Sequence, residues 1–330
     1  MIGFGNVGKE FVRLLLAKRG ELRDKYDIDW RITGIASRRI GWIANCDALD
    51  PEALLAHQFP TLPAWKMPQN LHQWLATADP QVFFEASSLD WRTGQPAIDH
   101  LRTALESGAH AISANKGLVH AYRELRDLAK TRGRKFLFES TVMDGTPIFS
   151  MFPHSLPAVD LRGFRGVLNA TTNVVLTEME KGLTLEQAVK RAQEIGVAET
   201  DPSDDLDGWD ATVKVAALVI VLMGVDIKLD QIERSGIRNL SPEQVRGTRD
   251  SGMRYKLVCF AERTPDGVRA SVKPEQLPLT DPLALLDGTT SAVRFDMDVF
   301  GLSIIEHKAT VIATAYGLLG DFIRAVANPS

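Results

Sequence analysis

Several residue types and charge patterns are scarce in this 330-residue chain, and each scarcity excludes a class of protein. Its two cysteines, Cys46 and Cys259, lie far apart and lack metal-type spacing, so the sequence predicts neither a disulfide framework nor a cysteine-ligated metal. The formal net charge of −4 gives no electrostatic reason to expect nucleic acid or an anionic membrane as a partner.

Signals for export and for membrane insertion are also missing. The N-terminus lacks the basic start and the apolar stretch of a signal peptide. The most apolar segment, residues 213–225, contains Lys214 and is too short to span a bilayer, so we expect a buried helix there. A reducing, cytoplasmic location fits this pattern and the low cysteine content.

The first 145 residues alternate between short apolar strands and helical patterns. Strands are predicted at 30–37, 81–88, 110–117 and 135–142, and helices at 93–107 and 118–132. This alternation predicts right-handed βαβ units and a Rossmann-type, doubly wound parallel sheet, so residues 1–145 are assigned to a dinucleotide-binding domain. Residues 38–79 are less regular, and we expect part of them to be loop.

A second, α+β domain is predicted over residues 146–303, after a linker rich in proline. Capping boxes that begin at Thr184 and at Ser241 predict two helix starts. Two antiparallel strands are expected on either side of the turn TPDG at residues 264–267. We expect the C-terminal helix, about residues 304–330, to pack back on the first domain.

The opening MIGFGNVGKEF contains a GxGxxG pattern just before an apolar helical stretch. Such glycines permit a tight turn, the close approach of a pyrophosphate and close packing of the following helix, whose N-terminus attracts phosphates. The predicted cofactor contacts in this turn are Gly3, Gly5, Asn6, Val7 and Gly8.

The strand that should precede this turn is very short, because only Met1 and Ile2 stand before Gly3. A central strand of that length would leave neighbouring backbone groups unpaired. We therefore expect that apolar residues are missing before Met1, through a misassigned start or a truncation, and that the chain as given binds NADP weakly. An added lead rich in valine and isoleucine should then restore stability.

The second predicted strand ends in IASRR, with Ser37, Arg38 and Arg39. An acidic residue there would suit the free 2′-hydroxyl of NAD, whereas arginine suits the 2′-phosphate of NADP. The sequence therefore favours NADP over NAD as the cofactor. The alternative is that both arginines belong to a solvated turn.

Two lysines stand in unusual places. Lys116 follows a predicted strand, at the cleft edge of a parallel sheet and at a helix N-terminus that disfavours positive charge, so it is either functional or an exposed turn lysine. Lys214 lies in an apolar helix four residues after Asp210. The two form a structural ion pair, or they line a cleft in which the lysine exchanges protons.

Six carboxylates crowd the segment just before Lys214: Glu199, Asp201, Asp204, Asp205, Asp207 and Asp210. An EF-hand is excluded, because placing Asp205 and Asp207 at loop positions three and five puts Lys214 at position twelve, where glutamate is required. The segment is therefore an acidic loop or a pocket for a cationic ammonium group.

Longer motifs cover nearly the whole chain: GFGNVG, SANKG, ESTVMDGTPIF, GVLNATTNVVLTEM, AQEIGVAETDPSDDLDGWDATVKVAAL, YKLVCFAE and TAYGLLGDFI. Together they resemble the homoserine dehydrogenase family, and the long acidic motif is the most specific. The resemblance implies NAD(P)-linked interconversion of L-homoserine and L-aspartate 4-semialdehyde, in threonine and methionine biosynthesis, by a homodimer formed through the second domain. Because the chain ends at Ser330, we expect neither a regulatory domain nor direct feedback inhibition by threonine.

The resemblance also implies roles for individual residues. Lys116 and Lys214 would lie near the reacting hydroxyl, one of them as general acid/base. The amino-acid head group would be bound by Glu199, Asp205 and Asp210. Further cofactor contacts would come from Ser87, Ser88, Asn115 and Lys116. A monovalent cation, sodium or potassium, would be held by Glu139 and by the carbonyls of Val142, Asp144 and Thr146, since oxygen ligands suit an alkali ion rather than zinc.

Three departures from the family pattern concern the substrate. Ala170 replaces a glycine, Val174 replaces a tyrosine, and Glu306, His307 and Lys308 replace part of a glycine-rich run. They motivate two alternatives, a dehydrogenase of the same fold acting on another small hydroxy acid or aldehyde, and a non-catalytic NADP-binding protein. A lysine within an apolar helix argues against the second, because cofactor binding alone does not need it.

Overall fold

The structure is a computed structural model that describes residues 1–60, 67–307 and 310–327. The chain divides into two compact units, Met1–Ile148 with Thr310–Ser330, and Phe149–Ala309. Within the described ranges, no helix is both long and apolar enough to cross a membrane.

The first unit is a mixed α/β domain. Its helices are α1 (Asn6–Ala17), α2 (Arg19–Tyr26), α3 (Pro51–Leu55), α4 (Leu71–Ala78), α5 (Ala97–Glu106), α6 (Tyr122–Thr131) and α13 (Val311–Val326). Its strands are β1 (Ile32–Ser37), β2 (Gly41–Leu49), β3 (Val82–Glu85), β4 (His110–Ser113) and β5 (Phe136–Leu137). A further helix, α7 (Ile148–Ser155), starts at the boundary between the units.

Ile2, the residue before the glycine turn, connects β1 with the parallel strands of the first unit. β3, β4 and β5 are parallel, which confirms the predicted Rossmann-type arrangement. Ile2 bridges in parallel to Ala36 of β1 on one side and to Glu85 of β3 on the other. The Gly3 amide donates to the Ala36 carbonyl at 2.9 Å, and the Ile2 amide donates to the Phe84 carbonyl at 2.9 Å. The short segment at the start of the chain therefore makes backbone hydrogen bonds to β1 on one side and to β3 on the other.

β2 differs from the predicted pattern. Residues 41–49, within a stretch expected to be partly loop, pair antiparallel with β1. The turn 38–40 connects the two strands, and Gly41 resumes the pairing with φ +71°, a backbone conformation that favours glycine. Ile43 and Ala44 are buried, so β2 contributes apolar side chains to the core.

The apolar core of the first unit contains side chains from its N-terminal helix and from its C-terminal helix. Phe11 and Val12 of α1 are fully buried in one apolar cluster with Leu318, Leu319 and Phe322 of α13. The C-terminal helix begins at Val311. The prediction of a helix from about residue 304 is therefore wrong at its start, because residues 301–306 form a strand instead.

The second unit combines a six-stranded sheet with short helices. Its strands are β6 (Leu161–Val167), β7 (Glu233–Arg234), β8 (Met253–Thr264), β9 (Gly267–Pro278), β10 (Ser291–Met297) and β11 (Gly301–Glu306). Its helices are α8 (Ala170–Glu180), α9 (Leu185–Glu194), α10 (Ser203–Leu206), α11 (Trp209–Leu218) and α12 (Pro242–Asp250). The strand order is β11-β10-β6-β8-β9-β7, and only β7 and β9 pair in parallel.

Local signals in this unit are confirmed. Both capping boxes are present, at the starts of α9 and α12. β8 and β9 form the antiparallel hairpin expected around residues 264–267. The apolar segment 213–225 lies in α11 and in a π-helical turn, Val219–Met223, that ends at Gly224 with φ +67°. Lys214 keeps 14% of its side chain exposed, so α11 has one polar side.

Candidate functional site

The glycine turn is closely packed at two of its glycines and open at the third. A methyl group on Gly3 would lie 2.2 Å from the Ala86 carbonyl carbon, and one on Gly8 would lie 2.4 Å from the Gly3 oxygen. Both positions therefore need glycine for close packing. Gly5 is different, because no atom lies within 4 Å of the position a methyl group would take. Gly5 is exposed at the start of α1 and leaves open space beside the helix N-terminus, where phosphates bind favourably.

The remaining predicted residues of the turn lie in the first turn of α1. Asn6 is exposed and Val7 is half-buried. No side chain caps this helix, so its first amides are available for a ligand.

The candidate 2′-phosphate residues lie on the turn between β1 and β2. The Ser37 hydroxyl accepts a hydrogen bond from the Ile40 amide at 3.4 Å. Arg38 and Arg39 are exposed, and neither pairs with an acidic residue in the part of the chain that the structure describes. Two guanidinium groups without counter-charges make a favourable place for an anionic group.

The ends of β3 and β4 meet through Asn115. Its side-chain amide donates to the Ser87 carbonyl at 3.1 Å and to the Ser88 carbonyl at 3.3 Å. The Ser87 hydroxyl is buried and has no hydrogen-bond partner among the residues that the structure describes. A buried hydroxyl without a partner is costly, so this atom is suited to a polar group of a ligand.

Glu85 fixes the backbone just before these serines. Its carboxylate is fully buried, accepts from the Ser87 amide at 2.8 Å and contacts Nδ1 of His100 at 2.6 Å. The Glu85 carboxylate therefore holds the Ser87 amide, which belongs to the peptide that Gly3 packs against. Sequence reasoning did not identify Glu85 or His100, because nothing in a strand-end glutamate shows that a histidine fifteen residues later will reach it.

Lys116 begins a short 3-10 turn, Lys116–His120, which precedes α6, the helix predicted over residues 118–132. Asn115 caps this turn by accepting from the Gly117 amide at 2.8 Å. Lys116 is half-buried, three residues after β4 ends at Ser113.

The segment expected to hold a cation is tied to α13. Glu139 is buried, and its carboxylate accepts from the Arg324 guanidinium at 2.9 Å. The Asp144 carboxylate accepts from the Thr314 hydroxyl at 3.0 Å. A methyl group on Gly317 would lie 2.7 Å from the Asp144 carbonyl oxygen. The Arg324 guanidinium also donates to the Asp321 carboxylate at 2.6 Å, so Glu139 and Asp321 share one arginine. Val142 is buried and Thr146 is half-buried.

In the second unit, the Asp210–Lys214 pair forms as predicted. The ammonium of Lys214 lies 3.3 Å from the Asp210 carboxylate and donates to the Leu168 carbonyl at 2.6 Å. Both side chains remain partly exposed, at 14% for Lys214 and 18% for Asp210. The pair is therefore both an ion pair and accessible to a ligand.

Asn169 connects this pair to a second carboxylate. Its side-chain amide donates to Asp205 at 2.6 Å and to Asp210 at 3.0 Å. Burial, and then repulsion from Asp210, raises the pKa of Asp205 to about 6. Asn169 was not identified as a site residue from the sequence. The available signal was its position at the start of a predicted helix, which is shared by many residues that only cap a helix.

The other acidic residues of the crowded segment have different surroundings. Glu199 is exposed, and its backbone carbonyl accepts from the Gln193 side chain at 3.0 Å. Asp201 accepts from the Ser203 hydroxyl at 2.6 Å, and Asp207 accepts from the Arg238 guanidinium. Of the three carboxylates expected to bind substrate, the structure brings together Asp205 and Asp210, while the Glu199 side chain takes no part in that cluster.

The residues that depart from the family pattern are placed as follows. Ala170 is half-buried at the first position of α8, directly after Asn169, and Val174 is buried in the same helix. Glu306 ends β11 and His307 is exposed after it. Lys308 lies outside the described residues.

Comparisons with known proteins agree on one family. A sequence profile described as the homoserine dehydrogenase NAD binding domain matches residues 3–139, and one described as homoserine dehydrogenase matches residues 147–323. An NAD(+)-dependent homoserine dehydrogenase from Pseudomonas canavaninivorans is 31% identical over 332 residues, covering 98% of this chain and 94% of the relative. A homoserine dehydrogenase from Sulfurisphaera tokodaii is 31% identical over 325 residues, covering 98% and 96%.

A solved structure shows the same similarity. The homoserine dehydrogenase from Thiobacillus denitrificans superposes with a TM-score of 0.82 at 26% identity, covering 98% of this chain and 72% of that one.

Proposed function

The chain belongs to the homoserine dehydrogenase family, which comprises NAD(P)-dependent oxidoreductases acting on a CH–OH group, and we propose that it interconverts L-homoserine and L-aspartate 4-semialdehyde. The observation that carries this proposal is the cluster of Asp205, Asp210 and Lys214 around Asn169. Paired carboxylates suit the ammonium group of an amino acid, and the adjacent lysine suits proton exchange with its hydroxyl.

The first unit fits a nicotinamide dinucleotide. The open space at Gly5 and the free N-terminal amides of α1 would receive the pyrophosphate, and the unpartnered Ser87 hydroxyl would meet another polar group of the cofactor. The bound nicotinamide supplies the hydride acceptor or donor. Ser88, Asn115 and Lys116 belong to the same strand ends and are included in this site.

The protein side of the reaction is acid–base chemistry. When the alcohol is oxidised, hydride leaves the carbon and the hydroxyl proton must pass to a base; the reverse reaction returns that proton. We assign this proton transfer to Lys214 or Lys116. Asp210 orients Lys214 through their ion pair, and Asp205 and Asp210 bind the substrate ammonium. Glu199 remains a predicted ligand of the head group.

NADP is the proposed cofactor in preference to NAD. The support is the exposed Arg38 and Arg39 beside Ser37, since a 2′-phosphate needs positive charge. A relative named as NAD(+)-dependent keeps NAD as the alternative. A monovalent cation at Glu139, Val142, Asp144 and Thr146 also stays a prediction.

A second substrate is supported by one observation. Ala170 adds a methyl group at the start of α8, next to the residue that holds both carboxylates. If this methyl group faces the carboxylates, it leaves less space for a head group and favours a different small hydroxy acid or aldehyde. A cytoplasmic homodimer is the proposed state, supported by the family and by two cysteines that are both free.

One spectrophotometric experiment separates these possibilities. The protein should reduce NADP or NAD when homoserine is added. The value of kcat/KM should be higher for homoserine than for other hydroxy acids. If another hydroxy acid is the better substrate, the second possibility holds. If none reacts while NADP still raises Tm, the protein only binds the cofactor.

A further inference from the structure

Asn169 both caps a helix and bridges two carboxylates of the proposed substrate site. It follows β6 and is the N-cap of α8, and 4% of the residue is exposed. Its side-chain oxygen accepts from the Thr172 amide and from the Thr172 hydroxyl, each at 2.8 Å. The amide and the hydroxyl of Thr172 both donate these hydrogen bonds. The oxygen of the Asn169 side chain must therefore face Thr172, and its NH2 group must face the opposite side.

That opposite side holds two carboxylates. The NH2 group has two hydrogens, and it donates to Asp205 at 2.6 Å and to Asp210 at 3.0 Å. Two carboxylates in one cluster repel each other unless donors are placed between them. Reversal of the amide would set its oxygen against both carboxylates and lose the Thr172 contacts, so the helix cap fixes the orientation of the bridge.

We propose that Asn169 is a positioning residue that holds Asp205 and Asp210 side by side, so that the two carboxylates together bind one cationic ammonium group of the substrate. This inference rests on the proposed function and adds a residue to it. Asp210 in turn contacts Lys214 at 3.3 Å, so the same amide also sets the place of the lysine. Asn169 acts through these groups and takes no proton itself.

The test uses Asn169→Ser, which is neutral and keeps a side chain able to cap α8 but has no NH2 group to bridge two carboxylates. Its matched control is Asn70→Ser. Asn70 caps α4 in the same way, by accepting from the Gln73 amide at 3.0 Å, and among the described residues no carboxylate accepts from it. The control measures what the same change at a helix N-cap does to stability alone.

Homoserine oxidation is measured for both variants across pH, with NADP affinity and Tm. In Asn169→Ser we expect kcat/KM for homoserine to fall about tenfold or more, the usual effect of losing a hydrogen bond to a charged group, with KM rising more than kcat falls. The groups around Asp205 are Asp210, Lys214, Asn169 and Thr171. Loss of the Asn169 donor raises the pKa of Asp205, so the acidic limb of the profile should move to higher pH.

Three results decide the matter. A kcat/KM and a pH profile like those of the starting protein would overturn the inference, as would a loss that only follows Tm and is equal in Asn70→Ser. Absence of homoserine turnover in the starting protein refutes the proposed function instead. The inference is then judged by ¹³C NMR titration of the Asp205 carboxyl, where an unchanged midpoint in Asn169→Ser would refute it.

Discussion

The ammonium of Lys214 lies 3.3 Å from the carboxylate of Asp210, one helical turn earlier on α11, and it also donates to the Leu168 carbonyl at 2.6 Å. These two contacts fix the position of Nζ. The side chain is nevertheless partly open to solvent, at 14%. This combination suits a group that holds and releases a proton in a defined place.

Replacement of this lysine tests its chemical role. Lys214→Ala should reduce kcat by about two to four orders of magnitude, the usual contribution of general acid–base catalysis, because the variant lacks the ammonium that exchanges the hydroxyl proton at this position. Affinity for NADP should stay within about twofold, since the candidate cofactor residues belong to the first unit. Steady-state kinetics and calorimetric titration measure the two effects. Lys190→Ala, at an exposed position of α9, is the control, and normal turnover in Lys214→Ala would refute the assignment.

The glycine turn gives a paired prediction. Gly5→Ala should leave Tm nearly unchanged, because its methyl group meets nothing within 4 Å, but NADP affinity should fall by about tenfold or more because the methyl group fills the phosphate space. Gly8→Ala should destabilise the protein by about 1–3 kcal/mol, because its methyl group would lie 2.4 Å from the Gly3 oxygen. Thermal unfolding and cofactor titration compare the two. Equal NADP affinity in Gly5→Ala and the starting protein would place the phosphates elsewhere.

Cofactor choice is tested on the turn 38–40. The double variant Arg38→Ala, Arg39→Ala should raise KM for NADP by about tenfold while leaving KM for NAD unchanged, because only the 2′-phosphate needs the positive charge. Arg31→Ala, an exposed arginine just before β1, controls for a general loss of positive charge. A parallel change in both KM values would show that the arginines do not read the 2′-phosphate.

Asp205 links activity to stability. Its pKa in the folded protein is raised from 3.8 to about 6, so the folded state binds its proton more tightly than the unfolded state does. Ionisation therefore costs stability, and this cost appears as pH rises from about 4 to about 6 and is complete above that range. Asp205→Asn should be more stable than the starting protein by about 1–3 kcal/mol at pH 7.5 and no more stable at pH 4.

Urea unfolding at the two pH values measures this difference. The same variant should lose homoserine turnover, because an amide cannot balance an ammonium group. An equal stability gain at both pH values would show that the carboxylate charge is not the cause.

The sequence predicted elements whose signals are local. The hairpin of β8 and β9 follows from alternating residues around TPDG, and the Thr184 and Ser241 capping boxes depend on side chains three residues apart. β2 was missed because the turn 38–40 carries arginine and isoleucine rather than the usual hairpin residues. The shape of that turn is stabilised by the strands on either side, which no short window contains.

The candidate site shows the same limit. Asp210 and Lys214 are four residues apart on one helix, so their pairing could be predicted from spacing alone. Asn169 and Asp205 come together only after β6, α8 and α10 have packed, and His100 reaches Glu85 only after α5 lies against the sheet. Residue type identifies such groups as polar, but tertiary packing decides which of them meet.

The placement of α13 has a consequence for synthesis on the ribosome. The α1 side chains Phe11 and Val12 complete their apolar cluster with Leu318, Leu319 and Phe322, so the first unit cannot close its core until more than three hundred residues have been made. The second unit, Phe149–Ala309, emerges in between with its own sheet complete. Although N-terminal domains usually fold first during translation, here the unit that is begun first is finished last, and its exposed α1 surface is open to chaperones in the interval.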